Sequence, residues 1–338
     1  MFIILTITLS FLSSLLINNL YLKLATRLKL YSKPHDGSII PHPNPTSAGI
    51  AFALLYCLII IVLDQYLDIV NSYKQAIFLC AFVMAILGFL DDLFGLSSKL
   101  RICIQFSFVF LVGYLFEVNN LIYEGNDFVV IFLALVGLLS SIWLINTFNF
   151  MDGADGLVST NSFLFSLLGG LYFYLAQEIE LAICLWALSS INLSFLFFNW
   201  APAKLFMGDS GSLFLGSIFV VFSLGSIINN QISPYVWLIL FSIFYVETTV
   251  TLIVRIFRKR NVFKEHHSLH AYQRQIINSG DHSRPAKLSI IIQLFWTAPL
   301  SFLCFTYPEY GWGITFLTVL PLICIFYFFG PYQVDPDS

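Results

Sequence analysis

The sequence predicts an all-α, polytopic integral membrane protein with about 11 transmembrane helices, its N-terminus outside and its C-terminus cytoplasmic. Three observations predict it. Hydrophobic residues make up 58% of the 338 residues and charged residues only 10%, against roughly 25% charged in a soluble domain. The apolar residues gather in runs that approach or reach the roughly 20 residues needed to cross a bilayer as a helix. The basic residues alternate between successive connections, as they do when Lys and Arg are retained in cytoplasmic loops.

The elements follow in order. The run at 2–22 has no basic segment before it and no small-residue cleavage site after it, so it reads as a retained first span and not a removable leader. Further runs occupy 47–63, 75–90, 102–116, 128–147, 157–175 and 181–198, then 212–230, 235–254, 288–306 and 311–329. Several are short, and tilt or local bilayer thinning accommodates short spans. With the N-terminus outside, the connections after spans one, three, five, seven and nine are cytoplasmic. They hold fifteen of the sixteen Lys and Arg residues, and only Lys74 lies elsewhere. The outer connections carry scattered acids such as Glu117, Glu124, Asp127, Glu178, Glu180 and Glu309. No repeat or low-complexity tract divides the chain, so residues 1–338 form one membrane domain. The six cysteines sit inside apolar runs without metal-ligand spacing and read as small buried hydrophobes, neither disulfides nor zinc ligands.

The chemistry is expected in four cytoplasmic loops, at about 91–101, 146–157, 199–212 and 255–287. The stretch Asn146-Thr-Phe-Asn149-Phe-Met-Asp152-Gly153-Ala-Asp155-Gly-Leu ends an apolar run with two amides, two carboxylates and two glycines. Polar groups at the end of a membrane helix are costly and usually functional. Oxygen donors of this kind suit a hard cation such as Mg²⁺, and glycines let backbone N–H groups approach an anion; the plainer alternative is a polar loop that only reverses the chain. The loop after span three pairs Asp91 and Asp92 with Lys99 and Arg101. Adjacent carboxylates repel unless a cation relieves them, and the two basic residues follow closely enough to grip a phosphate; an ordinary charged helix terminus is the alternative. The loop after span seven ends Met207-Gly208-Asp209-Ser-Gly-Ser212, which sets Asp209 at the start of an apolar helix, beside free N–H groups. Its resemblance to a serine-protease motif lacks the soluble β-rich context and is rejected. The last loop holds eight basic residues and Glu265-His266-His267-Ser-Leu-His270-Ala-Tyr272-Gln-Arg274. A zinc site at His266 and His270 is a rival there, but a clear third ligand is missing; phosphate or nucleotide binding by the histidines and Arg274 fits better. Glu247 stands well inside span nine, as a functional group or as a brace on the site. The Pro-rich loop from Pro34 to Pro45, with His35 and His42, flanks the site.

Taken together, these motifs resemble the polyprenyl-phosphate N-acetylhexosamine-1-phosphate transferases, glycosyltransferase family 4. The resemblance covers about residues 30 to 330 and rests on Asp91-Asp92 with Lys99 and Arg101, on Asn146 to Gly156, on Met207 to Ser212 and on the histidine-rich last loop. It implies that a polyprenyl (undecaprenyl) phosphate attacks the β-phosphorus of a UDP-N-acetylhexosamine, releasing UMP and starting a lipid-linked glycan at the cytoplasmic face of the inner membrane. It implies Mg²⁺, with Mn²⁺ as a substitute, held by Asn149 and Asp209. Arg101, with Lys99, would contact the pyrophosphate. Asp91 and Asp92 would sit by the lipid phosphate, one of them available as a base. Asp152 and Asp155 would shape the nucleotide and metal pocket, with Asn146 and Gly153 lining substrate. His266, His267, His270 and Arg274 would cover nucleotide and pyrophosphate. A phosphate monoester is already largely ionised near neutrality, its second pKa being about 6, so positioning outweighs proton removal. The wording His267-Ser-Leu-His-Ala-Tyr-Gln-Arg274 resembles the branch that starts O-antigen with N-acetylfucosamine or N-acetylquinovosamine. Two departures stand out: Thr46 where the family pattern Pro-x-Pro-Arg-x-Gly-Gly has Arg, and Glu247 where relatives often carry Asp.

No nucleic acid is expected as a partner, and a homodimer is an assembly the reading allows. The rival from another class is a secondary transporter with a carboxylate-coupled ion site. Transporters hold such acids near the bilayer midplane, often in repeated halves; here they fall at cytoplasmic helix ends. Within the family, N-acetylglucosamine-1-phosphate and phospho-N-acetylmuramoyl-pentapeptide transferases are the alternatives.

Overall fold

The structure, a computed structural model, describes residues 1–32, 43–118, 128–257 and 270–330. Among these the fold is all helical, and each of the eleven apolar runs appears as helix. They are α1 (Phe2–Leu28), α2 (Gly49–Asp64), α3 (Asn71–Phe94), α4 (Ser98–Leu115), α5 (Phe128–Met151), α6 (Leu157–Leu175), α7 (Ile179–Asn199) and α8 (Gly208–Ile228). Then come the bent pair α9 (Pro234–Leu240) and α10 (Ser242–Phe257), the short α11 (Ala271–Ser279), α12 (Arg284–Thr306) and α13 (Gly311–Phe329). Nine described helices are long and apolar enough to cross a membrane; the bent pair makes a tenth span, and α2, at 16 residues, is apolar but shorter. The chain is a multi-pass membrane protein.

Two irregularities were not visible in the hydropathy. The ninth apolar run is broken, its halves meeting at 72°. Neither Pro nor Gly stands at the break. Phe241 there is buried against Phe165, Phe219 and Trp237, with ring centroids 5.1–5.5 Å apart, so tertiary packing holds the bend. The connection between α10 and α12, expected as a loop, contains α11, an amphipathic helix too short to be read from its two turns of pattern.

The helix at the centre is α8. Of its most apolar window 83% is buried inside the protein, against 22% for α1, α4, α5 and α13. Lipid offers no hydrophobic drive between helices, so close van der Waals packing must supply it, and small residues allow that. A Cβ on Gly216 would come within 2.9 Å of the Ile145 backbone on α5. On Gly49 of α2 it would meet the Gly211 backbone at 1.9 Å, and on Gly88 of α3 the Asp209 carbonyl at 2.2 Å. These contacts fix where the N-terminal turn of α8 stands, and with it Asp209.

Candidate active site

Helix boundaries bring the polar motifs together. Gly95, at φ +67°, ends α3 in the left-handed conformation glycine tolerates, and Ser97 caps α4 by accepting the Leu100 N–H at 3.3 Å. The connection is therefore a tight turn, with Asp91 and Asp92 in the last turn of α3 and Lys99 and Arg101 in the first turn of α4. Asp91 Oδ1 accepts the Leu96 N–H at 2.6 Å, and its Oδ2 meets Arg101 Nη1 at 2.5 Å. The same guanidinium nitrogen lies 3.2 Å from Asp209 Oδ2. Four residues further along α4, Gln105 pairs with Asn146 on α5, Asn146 Nδ2 donating to Gln105 Oε1 at 2.6 Å. That amide pair ties α4 to α5 one turn from Arg101.

The start of α8 is capped from outside. Asp92 Oδ1 accepts the Asp209 N–H at 2.9 Å and Oδ2 the Ser210 N–H at 3.4 Å, both orphan donors of the first helical turn. Gly208 turns in with φ +68°, and a side chain there would strike Asp92. The Ser47 hydroxyl also bonds Asp92. Asp209 then reaches α5, whose Asn149 Nδ2 donates to Asp209 Oδ1 at 2.8 Å and to Ser212 Oγ at 3.1 Å. Thus α3, α4, α5 and α8 deliver Asp91, Asp92, Arg101, Asn149 and Asp209 to one place.

Asp152 follows directly after α5. Burial raises its carboxyl well above the ordinary range, and the charges of Asp209, Asp92 and Asp155 raise it further. Asp155 has a different setting: its Oδ2 accepts the Ala203 N–H at 3.0 Å. Burial raises it too, offset by that N–H and by His282. It belongs to a brace completed by Asn199, whose Oδ1 accepts from Gly156 N and Ser159 Oγ while Nδ2 donates to the Leu205 carbonyl at 3.0 Å. The brace ties the 152–156 turn to the segment leading into α8. The first loop joins the same segment: Phe206 N–H reaches the Pro45 carbonyl at 2.9 Å, and Gly49 N–H the Met207 carbonyl at 3.0 Å. Thr46 is buried there, its carbonyl accepting from Tyr21 Oη at 3.1 Å.

The remaining expected residues are distributed as follows. Lys99 is exposed on α4. Gly153 lies under Tyr272, whose hydroxyl donates to the Phe150 carbonyl at 3.0 Å. His270 is the N-cap residue of α11; burial first, then Arg255, pushes it down to about 4, so it is neutral near pH 7. Arg274 is buried on α11. His266 and His267 lie outside the described residues. Sequence reasoning assigned no site role to Gln105, Asn199, Ser212, Ser47 or Tyr272. Only Ser212 left a signal, since it stands one turn after Asp209 on a helix.

The donor set fits a hard divalent cation. Arg101 bridges Asp91 and Asp209, Asp92 holds the Asp209 N–H, and burial first, then the neighbouring carboxylates, raises Asp152. Among the described residues no three acidic, His or Cys side chains form a closed metal cage. Asn149 now offers its NH₂ to Asp209; presenting its carbonyl oxygen instead requires only rotation of the amide.

Carboxylates, an amide and an arginine thus converge at the ends of a bundle of membrane-length helices. Comparison with known proteins agrees. Residues 75–227 match the model of glycosyl transferase family 4. The phospho-N-acetylmuramoyl-pentapeptide-transferase of Prochlorococcus marinus is 30% identical over 286 residues, covering 76% of each chain. The probable undecaprenyl-phosphate N-acetylglucosaminyl 1-phosphate transferase of Bacillus subtilis is 26% identical over 284 residues, covering 80% of this chain and 78% of the relative. A Listeria monocytogenes phospho-N-acetylmuramoyl-pentapeptide-transferase is 31% identical over 63% of this chain. The chain belongs to glycosyl transferase family 4.

Proposed function

We propose that this protein transfers N-acetylhexosamine-1-phosphate from a UDP-sugar to a polyprenyl phosphate, undecaprenyl phosphate being the expected acceptor. UMP leaves, and a lipid-diphosphate sugar remains in the membrane to start a cell-envelope glycan. The observation that carries the reading is the convergence of Asp91, Arg101, Asp209 and Asn149 from four helix ends, each within hydrogen-bond reach of the next. The relatives' names, which specify phosphosugar transfer and, in one case, undecaprenyl phosphate, support it.

Transfer joins two anions, so the protein must offset their charge and align them. A Mg²⁺ ion, with Mn²⁺ as a substitute, would be held by Asp209 and Asn149 and would supply charge neutralisation at the diphosphate. Arg101 stands next to that position and can turn from Asp209 to a phosphate oxygen, with exposed Lys99 nearby for a second contact. Asp91 holds Arg101 in place. Asp92 fixes the first turn of α8 through two N–H groups and is bonded by Ser47 of the first loop. Because the acceptor phosphate is already mostly ionised near pH 7, orientation contributes more than a general base. The arriving lipid suits a site at the helix ends of a lipid-exposed bundle, on the cytoplasmic face of the inner membrane in this reading. The 267–274 wording favours the O-antigen-initiating branch. N-acetylglucosamine-1-phosphate transfer and phospho-N-acetylmuramoyl-pentapeptide transfer are the alternatives to separate.

The test is a panel of UDP-N-acetylhexosamines and UDP-N-acetylmuramoyl-pentapeptide with undecaprenyl phosphate and purified protein, following labelled lipid and UMP with and without chelator. Lipid product from one UDP-N-acetylhexosamine, lost in chelator and restored by Mg²⁺, is expected. Product only from the pentapeptide donor would move the protein to the other branch, and no lipid product from any donor would refute the proposal.

A further inference from the structure

Glu247, inside α10, makes no contact with the reacting cluster, yet it is only 3% exposed and is aimed at a helix end. Its Oε1 accepts the Tyr272 N–H at 2.9 Å, and the Ala271 N–H bonds the same carboxylate. These are the first two N–H groups of α11, which have no partner within their own helix, and a carboxylate also suits the positive end of the helix dipole. The helix so held carries Tyr272, whose hydroxyl donates to the Phe150 carbonyl at the end of α5 at 3.0 Å. The same ring covers Gly153, where a Cβ would stand 2.2 Å from the hydroxyl oxygen and 3.0 Å from the ring carbon that bears it. At its other side α10 is keyed to α5: Trp143 Nε1 donates to Thr249 Oγ1 at 3.0 Å, and the Thr147 and Thr248 hydroxyls are 3.5 Å apart. The contacts close a ring from α5 to α10, to α11, and back to the end of α5. Inside that ring lies the turn bearing Asn149 and Asp152.

We propose that Glu247, acting through Tyr272, is a positioning residue that docks α11 on the 149–153 turn and so sets where Asn149 and Asp152 stand. The assignment rests on the reading above that this turn serves cation and diphosphate. It explains why a carboxylate is kept within a membrane span without touching the reaction: it completes backbone hydrogen bonds of a helix that arrives after a long connection. It also gives Gly153 a reason other than a backbone approach to phosphate, since any side chain would lift Tyr272 off the turn.

The test uses full-length protein in lipid nanodiscs, with hydrogen exchange over 271–279 and 149–157 measured beside steady-state transfer. Glu247→Ala is expected to speed exchange at 271–274 at least tenfold. It should lower kcat by about 10²-fold, the loss that follows a displacement of about 1 Å at a reacting centre, with KM for the UDP-sugar near its wild-type value. Glu247→Gln, which keeps an oxygen acceptor, should recover most of both. Gly153→Ala should lose turnover and regain part of it in a Tyr272→Phe background, where the colliding hydroxyl is gone. Wild-type exchange in Glu247→Ala overturns the proposal, whatever the protein catalyses. Faster exchange in a protein whose wild type transfers no phosphosugar leaves the brace standing and refutes the functional reading instead. If Glu247→Ala does not fold, the Glu247→Gln exchange pattern and the Gly153–Tyr272 pair decide, and strictly additive losses in that pair overturn the proposal.

Discussion

The contact between α3 and α8 gives the sharpest mutational prediction. Gly88 lies against the backbone of Asp209 and Ser210, and an added Cβ would be 2.2 Å from the Asp209 carbonyl oxygen, 2.3 Å from its carbon and 2.4 Å from Ser210 N. These are backbone atoms in the first turn of a buried helix, so no side chain can swing aside. In Gly88→Ala the two helices must part by roughly 1 Å, at a stability cost of about 1–3 kcal/mol for overpacking. Asp91 and Asp92 ride on α3 one turn further on, and Asp209 and its N–H ride on α8. The parting therefore lengthens the Asp92 hydrogen bonds and separates Asp91-bound Arg101 from Asp209. A displacement of that size at a reacting centre costs about 10²-fold in rate, or about 2.7 kcal/mol of barrier at 1.36 kcal/mol per decade. The assay is kcat for UMP release beside thermal unfolding of the same preparation. Gly137→Ala on α5 is the control, because a Cβ there meets nothing within 4 Å; it should leave kcat unchanged and stability equal or higher. A folded Gly88→Ala protein with wild-type kcat would refute the claim that α3–α8 spacing sets the site.

Other outcomes follow from the same geometry. Arg101→Ala removes the guanidinium that bridges Asp91 and Asp209, so the unfolding temperature should fall in chelator and recover in part with Mg²⁺, which supplies the missing positive charge. Asn199→Ala should cost about 1–3 kcal/mol in thermal unfolding, because Gly156 N and the Leu205 carbonyl lose their buried partner. Asp152 gives a pH dependence whose sign is fixed. Its carboxyl is raised above the unfolded value of about 3.9, so its protonated form favours the fold, and that stability is lost as pH rises through the raised folded value. A cation binds the ionised form, so Mg²⁺ stabilisation should grow with rising pH, and Asp152→Asn should flatten that growth in a melting series.

Much of the fold was legible because membrane spans are strong, local signals. The polar motifs were legible too, since carboxylates such as Asp91 and Asp209 stand out against an apolar background. Their setting was less so. The expected loops at 91–101 and 146–157 are largely helix, which moves Asn149 into the last turn of α5 and Arg101 into the first turn of α4. Hydropathy cannot resolve this, because a helix carries on past the point where its residues turn polar. Gln105, Asn199 and Tyr272 were missed for another reason: each acts through a partner distant in sequence, as Gln105 does with Asn146 and Tyr272 with Phe150. Asp155 shows the reverse case, a carboxylate that the motif groups with Asp152 and the fold turns toward Ala203.

The central claim is that Asp209 and its neighbours form a single cation-dependent transfer site. UMP release by purified wild type and Asp209→Ala, each stripped with chelator and titrated with Mg²⁺, tests it most directly. The account predicts saturable recovery in the wild type and none in a folded Asp209→Ala protein. Equal recovery in both, or wild-type turnover indifferent to chelator, would contradict it.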